Sequence, residues 1–194
     1  MKKTSAKIGE RIETLIMEED WPRARKLILK ELAATPEDHW LITRLGLTYY
    51  EERDYRMALQ LYEKSFQILS DCPLTIWNLA GALDMLGKSS QAAGYYRWII
   101  DSKTRYEDDS CWESREWTES MKASSVYRLA GCEKDLGHKS KAIELYRSYI
   151  ELLVNGVEGV YSFDDVKAKI QKLQPAETNG TTGRRTRKIL KSVA

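Results

Sequence analysis

Apolar positions recur at three- and four-residue spacing along most of this chain. Ile42, Leu45, Gly46 and Tyr49 form one such set, and Ala58, Leu61, Tyr62 and Phe66 the next. That is the period of one face of a helix, not the alternation of a half-buried strand. The pattern is itself periodic. Asp20-Trp-Pro-Arg-Ala24, Asp54-Tyr-Arg-Met-Ala58, Ser90-Gln-Ala92 and Ser140-Lys-Ala142 align on a small residue. The first three alanines stand 34 residues apart, and the last interval is 34 plus a 16-residue insertion. Four positions after each alanine comes a large residue: Ile28, Tyr62, Tyr96 and Tyr146. Twelve or thirteen positions before three of them lie Leu45-Gly46, Leu79-Ala80 and Leu129-Ala130. A unit of two short helices, small where they cross and aromatic beside the crossing, accounts for every one of these spacings.

The 34-residue unit, the small residues at the crossing and the aromatics beside them resemble the tetratricopeptide repeat. The resemblance covers roughly residues 5–154 and implies an all-α chain: a right-handed superhelical solenoid of four helix pairs. The pairs are expected over 5–38, 39–72, 73–103 and 123–156, with an insertion at 104–119. The first pair is degenerate, as a solenoid end requires. Ser162, followed by acids and by Phe163, Val166, Ile170 and Leu173 on one stripe, predicts a helix over 163–174 that caps the last pair and closes a solenoid of residues 1–174. Pro175 to Gly183 is too polar and glycine-rich to build a core, and Arg184-Arg-Thr-Arg-Lys-Ile-Leu-Lys191 follows as a short basic run in a disordered tail over 175–194.

Composition narrows the function. The chain has 31 Lys plus Arg against 29 Asp plus Glu, so no global charge advertises nucleic acid or membrane. Without the tail the balance is slightly acidic. Cys72, Cys111 and Cys132 are odd in number and widely spaced, which argues against a disulfide framework or zinc site. No apolar run reaches membrane-spanning length, and no apolar segment follows Met-Lys-Lys at the start. A cytoplasmic protein is expected by elimination. His39 and His138 are the only histidines and lie in different pairs. No nucleophile–base order, glycine-rich phosphate loop or metal-ligand spacing appears, so neither an enzyme nor a cofactor is expected.

What remains is binding of a protein or peptide, the work of an adaptor or scaffold. In the family the first helix of each pair lines the concave surface. With Ile42, Leu45 and Gly46 facing the core, Trp40, Arg44, Leu47 and Glu51 fall on the opposite stripe. Its repeats bring Arg44, Asn78 and Arg128 to one position, with Thr43, Trp77 and Tyr127 beside it. Guanidinium and amide donors of this kind suit a carboxylate, an acidic side chain or a peptide backbone. They are otherwise solvated helix charges with packing aromatics around them. Some family members clamp the acidic C-terminal tail of a heat-shock chaperone with five such residues. Asn78 and Arg128 match that set, but Thr43, Leu47 and Ser124 do not, which strikes out this partner. Trp112 and Trp117 in the insertion either fold back as a local cluster or offer a second contact patch. Ser110 and Glu113 fit a capping box that would start the next helix early. Two alternatives to a general adaptor stand beside it: a small repeat chaperone for a secreted or assembly client, and an RNA-associated assembly factor acting through the basic tail.

Overall fold

The computed structural model describes residues 6–103 and 114–174. Among these residues there are nine helices and no strand. They are α1 (Ala6–Met17), α2 (Trp21–Leu32), α3 (His39–Glu51), α4 (Tyr55–Ile68), α5 (Pro73–Met85), α6 (Ser89–Asp101), α7 (Arg115–Asp135), α8 (Lys139–Val154) and α9 (Phe163–Leu173). Each helix packs on the next, and α3 also touches α5. That is the contact pattern of a solenoid, in which first helices form one layer and second helices the other.

The turn inside every pair has the same construction. The backbone N–H groups of Asp20, Asp54, Lys88 and His138 donate back to the carbonyls of Leu15, Tyr49, Leu83 and Glu133. The residue before each donor has positive φ: Glu19 at 56°, Arg53 at 66°, Gly87 at 73° and Gly137 at 85°. This closure satisfies carbonyls that the helix end would otherwise leave bare. Asp20 and Asp54 then cap the second helix by accepting from the N–H of Arg23 and Met57. Lys88 and His138 make no such side-chain cap.

Packing follows the repeat. Ala24, Ala58, Ala92 and Ala142 are all completely buried, and so are Ile28, Tyr62 and Tyr96, with Tyr146 nearly so. The first and second pairs join through Ile12, Ile28, Leu41 and Leu45. The second and third share a core around Tyr62, Leu79 and Tyr96 that reaches Leu129 and Cys132 of α7. The fourth pair packs on α9 through Tyr146, Tyr149, Val166 and Ile170. One buried polar knot interrupts this apolar line. Thr43 of α3 lies 2.7 Å from Ser65 of α4 and 2.9 Å from Thr75 of α5, hydroxyl to hydroxyl. Thr43 and Ser65 also both lie in hydrogen-bond reach of the His39 carbonyl as donors. The knot ties three helices together at one point.

The insertion is partly helix. α7 runs 21 residues, where α1, α3 and α5 run 12 or 13. Residues 115–119, expected in the insertion, form its first turn, because Ser114 accepts from the Trp117 N–H and starts the helix there. Ser110, Trp112 and Glu113 lie outside the described residues. Trp117 is half-buried against Ile76, Ile99 and Met121, with Phe66, Trp77 and Tyr95 around them. It has turned inward onto the core.

The segment between α8 and α9 is locked onto α8. The Tyr149 hydroxyl donates to the Tyr161 carbonyl and accepts from the Tyr161 N–H, both at 2.9 Å. The Tyr161 ring stacks on Tyr127 with centroids 3.6 Å apart and planes 13° from parallel. Gly159 makes this possible. A Cβ there would overlap the Tyr149 hydroxyl and come within 2.6 Å of Leu153. Gly159→Ala should therefore release the segment and α9 without unfolding the earlier pairs. Hydrogen exchange should show faster exchange confined to the end of α8 and to α9, with the amides of α3–α5 unchanged. Uniform acceleration across the chain would contradict that reading.

Candidate functional site

The in-register polar side chains stand on the first helices α3, α5 and α7. Arg44 is half-buried and reaches back to α1, its guanidinium 2.6 Å from Glu13 and 5.2 Å over the Trp40 ring. Arg128 reaches back to α5, 3.7 Å from Asp84, and forward to the segment before α9, 5.6 Å over Tyr161. Asn78 lies between them and donates through its amide nitrogen to the Leu74 carbonyl at 2.8 Å. Each arginine thus bridges two neighbouring first helices, whereas Asn78 is held within its own helix α5. The Nε groups of Arg44 and Arg128 are buried with no hydrogen-bond partner among the described residues.

The electrostatics are those of a compensated surface. Burial pushes the Asp84 carboxyl above its ordinary value, and Arg128 together with the Cys132 thiol restrains the rise. Cys132 lies against Asp84 at 3.7 Å. Burial, then the neighbouring Asp84 charge, push its thiol up to about 12, so it stays protonated and is a poor nucleophile. Among the described residues no group of three or more His, Cys, Asp or Glu side chains could hold a metal ion, and no helix is long and apolar enough to cross a membrane.

Of the other residues singled out in the sequence, Trp40 joins the surface, half-buried beneath Arg44. Trp77 and Tyr127 go elsewhere. Trp77 packs edge-on against Tyr96 at 5.6 Å. Tyr127 is 8% exposed, enclosed by Tyr146, Tyr149 and Tyr161 with Lys169 over its ring. Their position in the repeat is one residue, about 100°, round the helix from the Arg44 position, toward the second helices. The equivalent residue in the second pair, Thr43, is fully buried as well. Tyr127 is therefore a wall behind the surface, while Trp77 is half-buried, as Trp40 is. Sequence reasoning missed Asp84 and Tyr161, which hold Arg128, and did not pair Glu13 with Arg44. Glu13 was visible one turn from its partner's repeat position. Asp84 and Tyr161 occur once each and leave no periodic signal.

No protein-family model matches the sequence, and no curated protein matches it. Solved structures do resemble the fold. One crystal structure of the MamA protein aligns with a TM-score of 0.62 at 16% identity, over 86% of this chain and 78% of that one. A second MamA structure gives 0.61 at 17% identity, over 84% and 81%. The tetratricopeptide-like repeats of a putative kinesin light chain from Podosopora anserina give 0.62 at 14% identity, over 86% and 83%. The chain folds as a tetratricopeptide-repeat protein. At these identities the likeness is one of architecture, and it makes α1–α8 four tetratricopeptide-type pairs closed by α9. Function has to be argued from the side chains this repeat protein presents.

Proposed function

We propose that this repeat protein is a non-catalytic interaction module that holds a segment of a partner protein along the surface of α1, α3, α5 and α7. The observation that supports it is the rung of Arg44, Asn78 and Arg128: three polar side chains in register, each half-buried and already fixed by a neighbour. Side chains ordered before binding lose little entropy when a ligand arrives. Asn78 has a second amide N–H and its carbonyl oxygen to spare, which is the complement of a peptide unit. Glu13 and Asp84 neutralise the two arginines, so the rung offers forked donors rather than excess positive charge. That suits a peptide backbone and single carboxylates better than a long acidic run. Neighbouring helices stand about 10 Å apart, and an extended chain advances about 3.3 Å per residue. A bound strand would accordingly meet one rung residue about every third position.

Asn78→Ala and the double change Arg44→Gln/Arg128→Gln test this in the full chain. Each should weaken capture of the same co-purifying proteins about tenfold, the loss of one or two hydrogen bonds, while circular dichroism keeps the wild-type helical signal. An unchanged set of partners at unchanged yield would overturn the assignment of this surface.

A further inference from the structure

The two arginines of the rung are held differently. Arg44 closes on Glu13 at 2.6 Å, so that guanidinium and carboxylate satisfy each other. Arg128 and Asp84 stand 3.7 Å apart at their nearest atoms, too far for a hydrogen bond between them. Among the described residues Asp84 has one other polar neighbour, the Cys132 thiol, a weak donor at 3.7 Å. The Asp84 side chain is 16% exposed and that of Arg128 29%, so both open onto the surface from a sunken position. The pair is neutral as a whole, yet it keeps an acceptor and a donor unused side by side.

Glycine opens the surface beside this pair. Gly81 lies one turn before Asp84 on α5, and the nearest atom that a Cβ there would meet is the Tyr50 hydroxyl oxygen at 3.6 Å. Tyr50 of α3 is half-buried, and the charges of both Arg128 and Asp84 act on its hydroxyl. Tyr96 of α6 lies beneath, fully buried, under the same two charges. Its hydroxyl has no hydrogen-bond partner among the described residues. Polar atoms from α3, α5, α6 and α7 thus converge on the gap between Asp84 and Arg128. The neighbouring gap is built otherwise: between α3 and α5 the equivalent residues are Tyr50 and Asn78, which bring no opposed charges.

We propose that the Asp84–Arg128 pair receives a primary carboxamide, the side chain of an asparagine or glutamine in the bound segment. This rests on the reading that such a segment lies along α1, α3, α5 and α7, and it adds a residue preference to it. A carboxamide carries N–H donors and a carbonyl acceptor on one planar group. Its N–H donates to Asp84 and its carbonyl accepts from Arg128, so one neutral group serves both charges and displaces neither. A carboxylate would gain Arg128 but stand against Asp84, and a lysine or arginine side chain would meet the reverse conflict. A main-chain residue offers the same donor and acceptor. The pair is sunk between α5 and α7, however, where a slender side chain reaches and a backbone does not, and Gly81 leaves room for it.

Selection of phage-displayed random peptides on the immobilised full chain tests it. The wild type should enrich peptides with Asn or Gln at one shared position. A synthetic peptide of that set should bind about fivefold tighter than its counterpart with Asp or Glu there, the worth of one hydrogen bond. Asp84→Asn should reverse that order, because Arg128 is then unopposed. The variant keeps the side chain's shape, and burial already disfavours the Asp84 charge, so circular dichroism should show the wild-type fold. Arg128→Gln should abolish the preference for the amide over the acid without reversing it. Peptides that bind Asn78→Ala as tightly as the wild type, or no enriched peptide at all, would overturn the assignment of the surface and this inference with it. Peptides that need Asn78 but show no preference for Asn or Gln, or keep one unchanged in Asp84→Asn, would overturn this inference alone.

Discussion

Gly46→Ala should cost about 2 kcal/mol of stability, although alanine already stands at the equivalent place in the next two pairs. A Cβ at Gly46 would come within 2.6 Å of the Tyr62 ring. Tyr62 is fully buried and has no room to turn aside. In the third and fourth pairs Ala80 and Ala130 fill the equivalent positions, beside Tyr96 and Tyr146, so those pairs accommodate the methyl. The second pair has no such freedom, because the Thr43–Ser65–Thr75 knot holds α3, α4 and α5 together one turn away. Moving α4 back to admit the methyl would break buried hydroxyl contacts, each about 1 kcal/mol. Urea denaturation of Gly46→Ala, Tyr62→Leu and the double variant forms the deciding cycle. The two changes should couple by at least 1 kcal/mol, the alanine costing little once the ring is gone. Simple additivity would show that the ring is not what excludes the methyl.

Glu133→Gln should cost about 2 kcal/mol at neutral pH, the worth of hydrogen bonds to a charged group, and should also flatten the acid side of the stability profile. The Glu133 side chain is 1% exposed and receives Arg97 of α6, His138 Nδ1 at 2.7 Å and Lys141 Nζ of α8 at 2.8 Å. Burial alone would raise its pKa. Lys141, His138 and Arg97 reverse this and hold the carboxyl at about 2. The folded value lies below that of the unfolded chain, near 4.3, so the unfolded state binds the proton more readily. The stabilisation is complete above about pH 4.5 and is lost as pH falls through that window toward 2. Urea midpoints measured from about pH 7 down to 2.5 should show this loss in the wild type and a shallower one in Glu133→Gln. Parallel profiles would mean that other carboxylates carry the acid sensitivity. Arg97, His138 and Lys141 are half-exposed, so removing the acid traps no charge in the core.

The repeat was legible because it is written several times over. Ala24, Ala58, Ala92 and Ala142 report one physical requirement, a close helix crossing, and no single substitution could have hidden their period. The rung of Arg44, Asn78 and Arg128 was readable for the same reason. The residues that complete it were not. Asp84 and Tyr161 each solve a local charge or packing problem once, and contacts between helices separated by a whole pair leave no spacing along the chain, so even the legible Glu13 could not be paired with Arg44. Trp77 and Tyr127 were read as lying beside the rung, and a stripe read at 100° per residue could not show how far each packs inward. Glu133 escaped notice since an acid near a helix end normally signals a solvated surface.

The four turns carry a consequence for how this chain balances stability against other demands. Two of them place glycine at the left-handed residue, and two place Glu19 and Arg53 there. A non-glycine residue in that region costs on the order of 1 kcal/mol. A sequence optimised for folding alone would carry glycine at all four, and Glu19→Gly with Arg53→Gly would be the simplest route to a hardier variant. Holding charged side chains at those two corners is therefore a standing expense, met by the first two pairs and not by the last two. The half of the solenoid that bears it is the half with the most acidic turns.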